Sequence, residues 1–298
     1  LNSLKFSMNN NKSALEFDSL TIRHTHLSGS LDMEKDNYAF DVNAANIDSQ
    51  DINYFFKKDI LMPTTISLES HGVYTPERLT AQLSLNTKQG SLKAIIKSLD
   101  IKDKKADFAF YFNNFNPLQF TQSDKAKLTG TADITIDGLT MQSSSAVANI
   151  QLKDISYQEE SINNLDIQAK LNNNKASIFL QANGYKEDNS ITAQLSANNI
   201  FNAGNQVNPH IIYHSDIELI HINPYLFIPQ KELNHYFDIK TTLRGQGIDL
   251  HNSNISMDLA IKQAPETAPQ LFTTLSMILQ KEREDISAKL EIENAQYD

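Results

Sequence analysis

The chain has 298 residues, a formal net charge of −10 and no cysteine. The acidic balance argues against a nucleic-acid partner, because contacts with phosphates require clustered Lys and Arg side chains. The absence of cysteine excludes disulfides, thiol nucleophiles and thiolate metal sites, and a hydrophobic content of 40% suffices for a folded core.

Alternation of apolar and polar residues appears first in the N-terminal half. Leu79–Leu85 alternates four apolar with three polar residues, which is the period-two pattern of a strand with two unlike faces. Phe108–Phe112 places three phenylalanines on one face, and Leu128–Ile136 repeats the alternation. The polar cluster Lys102–Lys105 is typical of a hairpin turn. These segments predict antiparallel strands.

The same pattern continues in the C-terminal half. It recurs in Leu165–Leu171, Ile191–Ala197, Ile255–Ile261 and Ile286–Ile292, with short polar breaks such as Asn172–Asn174. Because the chain has only nine glycines, we expect Asn and Asp to occupy many left-handed turn positions. The predicted fold class is mainly β, an extended antiparallel meander.

One segment departs from this alternation. Between about residues 269 and 284, Leu271, Leu275, Ile278 and Leu279 recur at helical spacing. We predict an amphipathic helix that covers an end or edge of the sheet; the alternative is a gate for a ligand or partner.

Three segments resemble one another. Ile52–Phe56, Phe115–Phe120 and Ile222–Phe227 share an apolar residue, an Asn and further apolar residues, and the last two precede Gly138 and Gly245 at equal distance. We predict one continuous domain over residues 1–298, built from approximate repeat units 1–114, 115–221 and 222–298. Such a unit cannot cover its own apolar face, so neighbouring units should extend a common sheet.

These alternating and repeated segments resemble those of a known protein family. The segments Leu165–Leu180, Ile191–Ala197, Ile222–Phe227 and Phe237–Gly247 resemble the AsmA-like and TamB (translocation and assembly module) proteins, in particular large members from Bacteroidetes-type bacteria. The resemblance extends over most of the chain. The resemblance consists of a repeated sequence pattern without a catalytic motif. It therefore assigns no functional role to any individual residue of this chain.

The resemblance implies a periplasmic protein anchored to the inner membrane, whose sheet curls into a U-shaped groove with an apolar floor. Such grooves are thought to carry phospholipid acyl chains to the outer membrane, and some members are linked to outer-membrane protein assembly. The expected partners are phospholipid acyl chains, neighbouring repeats of the same chain and an outer-membrane assembly protein. Leu1 is not an initiator Met, and no run approaches the ~18 apolar residues of a membrane helix, so we expect an internal segment without its anchor.

The predicted lipid-facing residues are the large apolar side chains of the alternating strands. They are Leu83, Leu85, Phe108, Phe110, Phe112, Ile134, Ile136, Ile167, Leu171, Ile178, Leu180, Leu195, Ile239, Leu243, Met257 and Leu259. Two sheets that bury each other would show the same alternation. The alternative function is therefore a structural or adhesion module of the cell envelope with a closed core.

Candidate chemical motifs are incomplete. His24 and His26 share a strand face, but no third ligand accompanies them. His210 and His214 have helical spacing without the Glu of a zinc protease, and Pro209 argues against a helix there. The glycines at 245 and 247 lack the third glycine of a dinucleotide loop and indicate a turn or bulge. We predict no enzymatic activity, metal or cofactor; an enzyme on a β scaffold, which would need converging carboxylates, is the least favoured reading.

Overall fold

The protein is represented by a computed structural model that describes residues 3–9, 11–22, 24–47, 50, 66–117, 126–138, 144–157, 160–184, 189–202, 206–223, 236–247, 253–263, 270–282 and 285–297. The chain forms two compact units, which consist of Leu1–Gly138 with Ile150–Ser161 (unit 1) and Leu139–Asn149 with Ile162–Asp298 (unit 2).

Within the described residues the regular structure is β. The strands are β1 Ser3–Asn9, β2 Lys12–Ile22, β3 Thr25–Glu34, β4 Asn37–Ile47, β5 Ile66–Tyr74, β6 Arg78–Thr87, β7 Gly90–Asp100, β8 Lys105–Phe115, β9 Ala126–Asp137, β10 Ser145–Tyr157, β11 Glu160–Asn172, β12 Lys175–Gly184, β13 Ser190–Asn198, β14 Ile212–Ile222, β15 Phe237–Gln246, β16 Asn254–Gln263, β17 Gln270–Glu282 and β18 Asp285–Tyr297.

Each unit is an antiparallel meander. In unit 1, every strand from β1 to β8 pairs with the next strand in the sequence, and β10 also pairs with β9. In unit 2, the same rule joins β11 through β18. The predicted mainly β, antiparallel fold class is confirmed.

Asparagine provides several of the backbone conformations that glycine usually adopts. Asn173 and Asn174 have φ values of 46° and 65° and connect β11 to β12 in a two-residue turn. Both central residues of such a turn have positive φ, which matches the right-handed twist of the flanking strands. The expectation that Asn replaces glycine at turn positions is confirmed here.

The predicted helix between residues 269 and 284 is wrong. Strand β17, Gln270–Glu282, covers this segment and pairs with β16 on one side and β18 on the other. Its sequence has Leu271, Leu275, Met277 and Leu279 at odd positions, which is also a period-two pattern. Ile278 supplied the apparent helical periodicity, and pairing with two neighbouring strands prevailed over that local signal.

Three even-numbered strands of unit 1 contain a β-bulge close to their C-terminal ends. The register shifts between Phe17 and Leu20 in β2, between Ala44 and Ile47 in β4, and between Phe112 and Phe115 in β8. Left-handed residues occupy the bulges: Ser19, Asn46 and Asn114, with φ values of 56°, 58° and 47°. Even-numbered strands run in the same direction, so these three bulges lie along one edge of unit 1, here named the bulge edge. A fourth bulge, in β7 between Ile96 and Leu99, lies near the opposite edge. Bulges bend strands and increase their twist.

The position of a bulge in β14 changes which glycines correspond in the predicted repeat. The residues after the bulges in β8 and β14 pair equivalently, Phe115 with Leu128 and Ile222 with Phe237. Counting from these pairs, Gly138 corresponds to Gly247, and their φ values are 89° and 88°. The equal spacing that linked Gly138 to Gly245 therefore paired glycines that are not equivalent. The repeat boundaries at residues 114 and 221 stay a prediction.

Candidate apolar binding surface

The strand registers of unit 1 place apolar residues on one common face. Residues directly opposite each other in an antiparallel pair project from the same side of the sheet. Leu83 of β6 pairs with Ala94 of β7, Ala94 with Phe110 of β8, and Phe110 with Ala132 of β9. The ladder beside it joins Leu85, Leu92 and Phe112 in the same way; larger side chains elsewhere on this face include Phe17, Leu31, Phe40, Val42, Leu68, Ile96, Phe108, Ile134 and Ile136.

Glycines on this face lie beneath aromatic rings of the neighbouring strand. Gly72 pairs directly with Phe40, and a Cβ at Gly72 would lie 2.6 Å from the Phe40 ring. Gly29 pairs with Phe17, whose ring would lie 2.9 Å from an added Cβ. A ring that covers a glycine lies close to the backbone, so the apolar surface is flatter there than over a pair of branched side chains.

Unit 2 has an apolar face of the same construction. Ile167 pairs with Leu180 of β12, and Ile178 pairs with Leu195 of β13. The ladders continue through β16, where Leu243 lies opposite Met257. Tyr213 lies opposite Gly245 and would contact any Cβ added there, as in the aromatic–glycine pairs of unit 1.

The large side chains on these faces are incompletely buried. Among the described residues the buried apolar set consists of Ala44, Ile66, Ala106, Ala109, Phe115, Ala126, Ala132, Ala182 and Ala193. Ile66 and Phe115 are its two large members. Ile178 and Leu195 are each 40% exposed. A closed β-sandwich buries its large Leu, Ile and Phe side chains first, so the described faces differ from such a core.

The surface area leads to the same conclusion. The protein exposes 19358 Å². A compact monomer of its mass, 33.6 kDa, exposes about 12,700 Å² on the general scaling of area with mass. An apolar face without a second layer contributes to this additional area.

All of the predicted lipid-facing residues lie on the apolar faces. In unit 1 these are Leu83, Leu85, Phe108, Phe110, Phe112, Ile134 and Ile136. In unit 2 they are Ile167, Leu171, Ile178, Leu180, Leu195, Ile239, Leu243, Met257 and Leu259. Lipid contact by these residues stays a prediction.

Alternation in the sequence did not identify the first five strands of this surface. Leu15, Leu31 and Phe40 form a ladder on the apolar face of unit 1 and continue it to the N-terminal strands. Alternation was present in the segments around them, but bulge residues such as Ser19 shift its phase. A search for alternation that permits one Asn, Asp or Ser insertion would have detected these strands.

The opposite faces are polar and carry hydrogen-bonded side chains. In unit 1, Lys97 Nζ lies 2.7 Å from Asp133 Oδ1, and the Thr135 hydroxyl donates to Asp107 at 2.6 Å. In unit 2, the Asp216 carboxylate accepts from Thr242 Oγ1 at 2.8 Å. These pairs are exposed, which is the expected environment of a solvated face.

Asp216 also has a histidine partner. His214 Nε2 lies 2.7 Å from Asp216 Oδ2. The hydrogen bond from Thr242, followed by the hydrogen bond and the charge of His214, holds the pKa of Asp216 below its ordinary value. The Thr242 hydroxyl donates to the carboxylate and not to the imidazole, so the group lacks the hydroxyl–imidazole hydrogen bond of a nucleophilic triad.

The other histidine pairs do not assemble a metal centre in the described part of the chain. His26 Nδ1 lies 3.1 Å from the Thr21 hydroxyl oxygen, and the backbone N–H of His210 donates to Asn208 Oδ1 at 3.0 Å. No group of three His, Asp or Glu side chains arranged to hold a metal occurs among the described residues. Gly247 directly follows β15 and has a φ of 88°, in agreement with a turn rather than a dinucleotide loop.

Among the described residues, no helix has the length and hydropathy needed to cross a membrane. Comparisons with protein families, with curated proteins and with solved structures found no match to the chain.

Proposed function

We propose that the chain supplies a lipid-holding segment of an AsmA/TamB-like cell-envelope protein, in which the apolar faces line a U-shaped groove of repeating units. The observation that supports this proposal best is the continuous, incompletely buried apolar face of each unit. Phospholipid acyl chains are the partner, and transport between inner and outer membranes is the function. On this proposal the segment is periplasmic and non-enzymatic, with an inner-membrane anchor and an outer-membrane assembly partner elsewhere in the system.

The physical basis is apolar burial without a charged site. Each methylene transferred from water to an apolar surface contributes about 0.8 kcal/mol, so an acyl chain gains several kcal/mol from contact along even part of its length. Rows of Leu, Ile and Phe at successive ladder positions give an acyl chain similar contacts from strand to strand, which permits movement along the surface. Such a surface requires neither a cofactor nor a metal.

The first experiment measures lipid bound to the purified chain. We would incubate detergent-free protein with vesicles of phosphatidylethanolamine and phosphatidylglycerol, separate it from them, and count lipids per chain by native mass spectrometry. We expect at least one bound phospholipid. Lipid-free, folded protein would instead favour the structural or adhesion module with a closed core.

Matched variants locate the binding surface. Leu83→Asp in unit 1 and Ile167→Asp in unit 2 place a carboxylate on the apolar faces, and both should reduce the bound lipid. Ser84→Asp and Gln168→Asp place the same charge at the adjacent polar-face positions and should retain it. Because Leu83 and Ile167 are incompletely buried, the variants should fold, which circular dichroism would verify. Equal lipid loss in both pairs would contradict binding at the apolar faces.

A further inference from the structure

The two edges of the apolar face in unit 1 differ in burial. At the bulge edge, Ala44, Ile66 and Phe115 are 4%, 6% and 6% exposed. At the opposite edge, where β3–β4, β5–β6 and β7–β8 are joined by turns at residues 34–37, 74–78 and 100–105, Tyr38 and Tyr74 are each 37% exposed. We name this second edge the turn edge. Ala106 is buried at the turn edge, but it contributes a single methyl group. The apolar face is thus more buried at the bulge edge than at the turn edge.

The turn edge ends in amphipathic side chains. Tyr38 pairs with Tyr74 in the register, and their ring centroids are 5.9 Å apart at an interplanar angle of 42°. Tyrosine combines an apolar ring with a hydrogen-bonding hydroxyl, and it is enriched where apolar and aqueous regions meet. At the bulge edge the corresponding ladder positions in β4 and β5 are Ile47 and Ile66, which are purely apolar.

Each of these turns also carries adjacent charges of opposite sign. The neighbours are Lys35 with Asp36, Glu77 with Arg78, and Lys102 with Asp103. Mixed charges at a rim complement a group that itself carries both signs, whereas for a purely anionic group the attraction of the basic side chains is opposed by the carboxylates. The turn edge therefore suits a zwitterionic headgroup.

The length of the face fits one acyl chain laid along the strands. Leu79 and Leu85 of β6 mark its extent from the turn edge towards the bulge edge, a span of about 20 Å at the usual rise of a β-strand. The hydrocarbon part of one membrane leaflet is about 15 Å thick, half of the bilayer core. An extended acyl chain can therefore reach from the tyrosines to the buried residues of the bulge edge.

We propose that a zwitterionic phospholipid binds unit 1 in one orientation, with its headgroup at the turn edge beside Tyr38 and Tyr74 and its acyl chains directed towards Ile66 and Phe115. This inference rests on the proposed lipid-holding function and adds to it a single orientation of the bound lipid. Lipids arranged in this way expose all their headgroups along a single edge of the sheet.

The absence of native cysteine permits a direct test. Single variants Tyr74→Cys and Met33→Cys at the turn edge, Leu83→Cys in the middle and Leu128→Cys near the bulge edge would carry a bimane fluorophore. Ser84→Cys on the polar face is the matched control. The folded, full chain is loaded with phosphatidylcholine bearing a nitroxide either on its headgroup or near the ends of its acyl chains, and fluorescence quenching is measured.

We expect headgroup nitroxide to quench positions 74 and 33 more strongly than position 128, and chain-end nitroxide to show the reverse order. Position 83 should be quenched and position 84 should not. Quenching at position 83 with equal or reversed edge preference would overturn the orientation while leaving lipid binding intact. No quenching by either probe at any apolar-face position would overturn the proposed function itself, and the orientation with it.

Discussion

Individual polar residues of the chain are held by local hydrogen bonds, and Asp216 gives a measurable example. Its carboxylate accepts from Thr242 and from His214, which lowers the pKa of Asp216. A carboxyl with a lowered folded-state pKa contributes stability above its unfolded pKa, and this contribution is lost as the pH falls through the folded value. Because the group is exposed, the effect on unfolding should be small.

Thr242→Val removes the donor and nearly preserves the side-chain volume, so the pKa of Asp216 should rise towards its ordinary value. Carboxyl ¹³C NMR during an acid titration would measure the change. Thr192→Val, on the polar face of β13 opposite Glu218, is the control and should leave the Asp216 titration unaltered. An unchanged Asp216 titration in Thr242→Val would show that the hydroxyl does not stabilise the carboxylate.

At the scale of single elements, the bulges determine where the strands bend. Asn114 has φ 47°, and its N–H donates to Thr129 Oγ1 at 3.1 Å. Left-handed backbone costs an ordinary L-residue about 1–2 kcal/mol, and β-branched residues tolerate it poorly. Asn114→Val should therefore lower the free energy of unfolding by about 1–2 kcal/mol, whereas Asn114→Gly should be nearly neutral.

Urea denaturation followed by circular dichroism would measure these values. Asn113→Val is the matched control, because Asn113 is the exposed neighbour in the same bulge and is not among the left-handed residues. It should have little effect, since valine favours extended backbone. Equal destabilisation by valine at 113 and 114 would indicate that side-chain contacts, and not the left-handed backbone, determine the cost.

The elements also show which information the sequence contains. Period-two alternation sufficed to predict strands such as Leu79–Leu85 and their apolar face. In a pleated strand, successive side chains project from opposite faces, so odd and even positions lie on different sides. Alternation failed for β17, where apolar residues at both odd and even positions give the spacing of a helix. The segment is a strand because it pairs with β16 and β18. The bulges were also missed, since left-handed Asn or Ser residues resemble ordinary polar positions in the sequence.

At the scale of the whole molecule, the candidate surface depends on registers that no single segment specifies. Alternation indicates that Leu83 and Phe110 each lie on an apolar face, but not that Ala94 of the intervening strand joins them. The difference in burial between the two edges of unit 1 was likewise not predictable, because the buried residues Ala44, Ile66 and Phe115 belong to three different strands. The residues of the surface could thus be predicted from the sequence, whereas the difference in burial between its two edges could be seen only in the structure.

The large exposed area has a thermodynamic consequence. The unfolded chain exposes about 48,700 Å² on the usual scaling with mass, so folding to a surface of 19358 Å² removes about a fifth less area than folding to a compact monomer would. The heat-capacity change of unfolding follows the area that becomes exposed, and it averages about 12–15 cal/mol/K per residue in globular proteins. We expect a value about a fifth below that average.

Differential scanning calorimetry of the lipid-free chain would measure the heat-capacity change of unfolding. If the two units unfold separately, their heat-capacity changes add up to the same total. A compact β-sandwich protein of similar length, studied under the same conditions, supplies the reference. A heat-capacity change equal to that reference would mean that the apolar faces are covered in solution, which is the behaviour of a closed structural module. A reduced value would mean that they remain available to an apolar ligand, because the surface that lipid would cover is already exposed in the folded state.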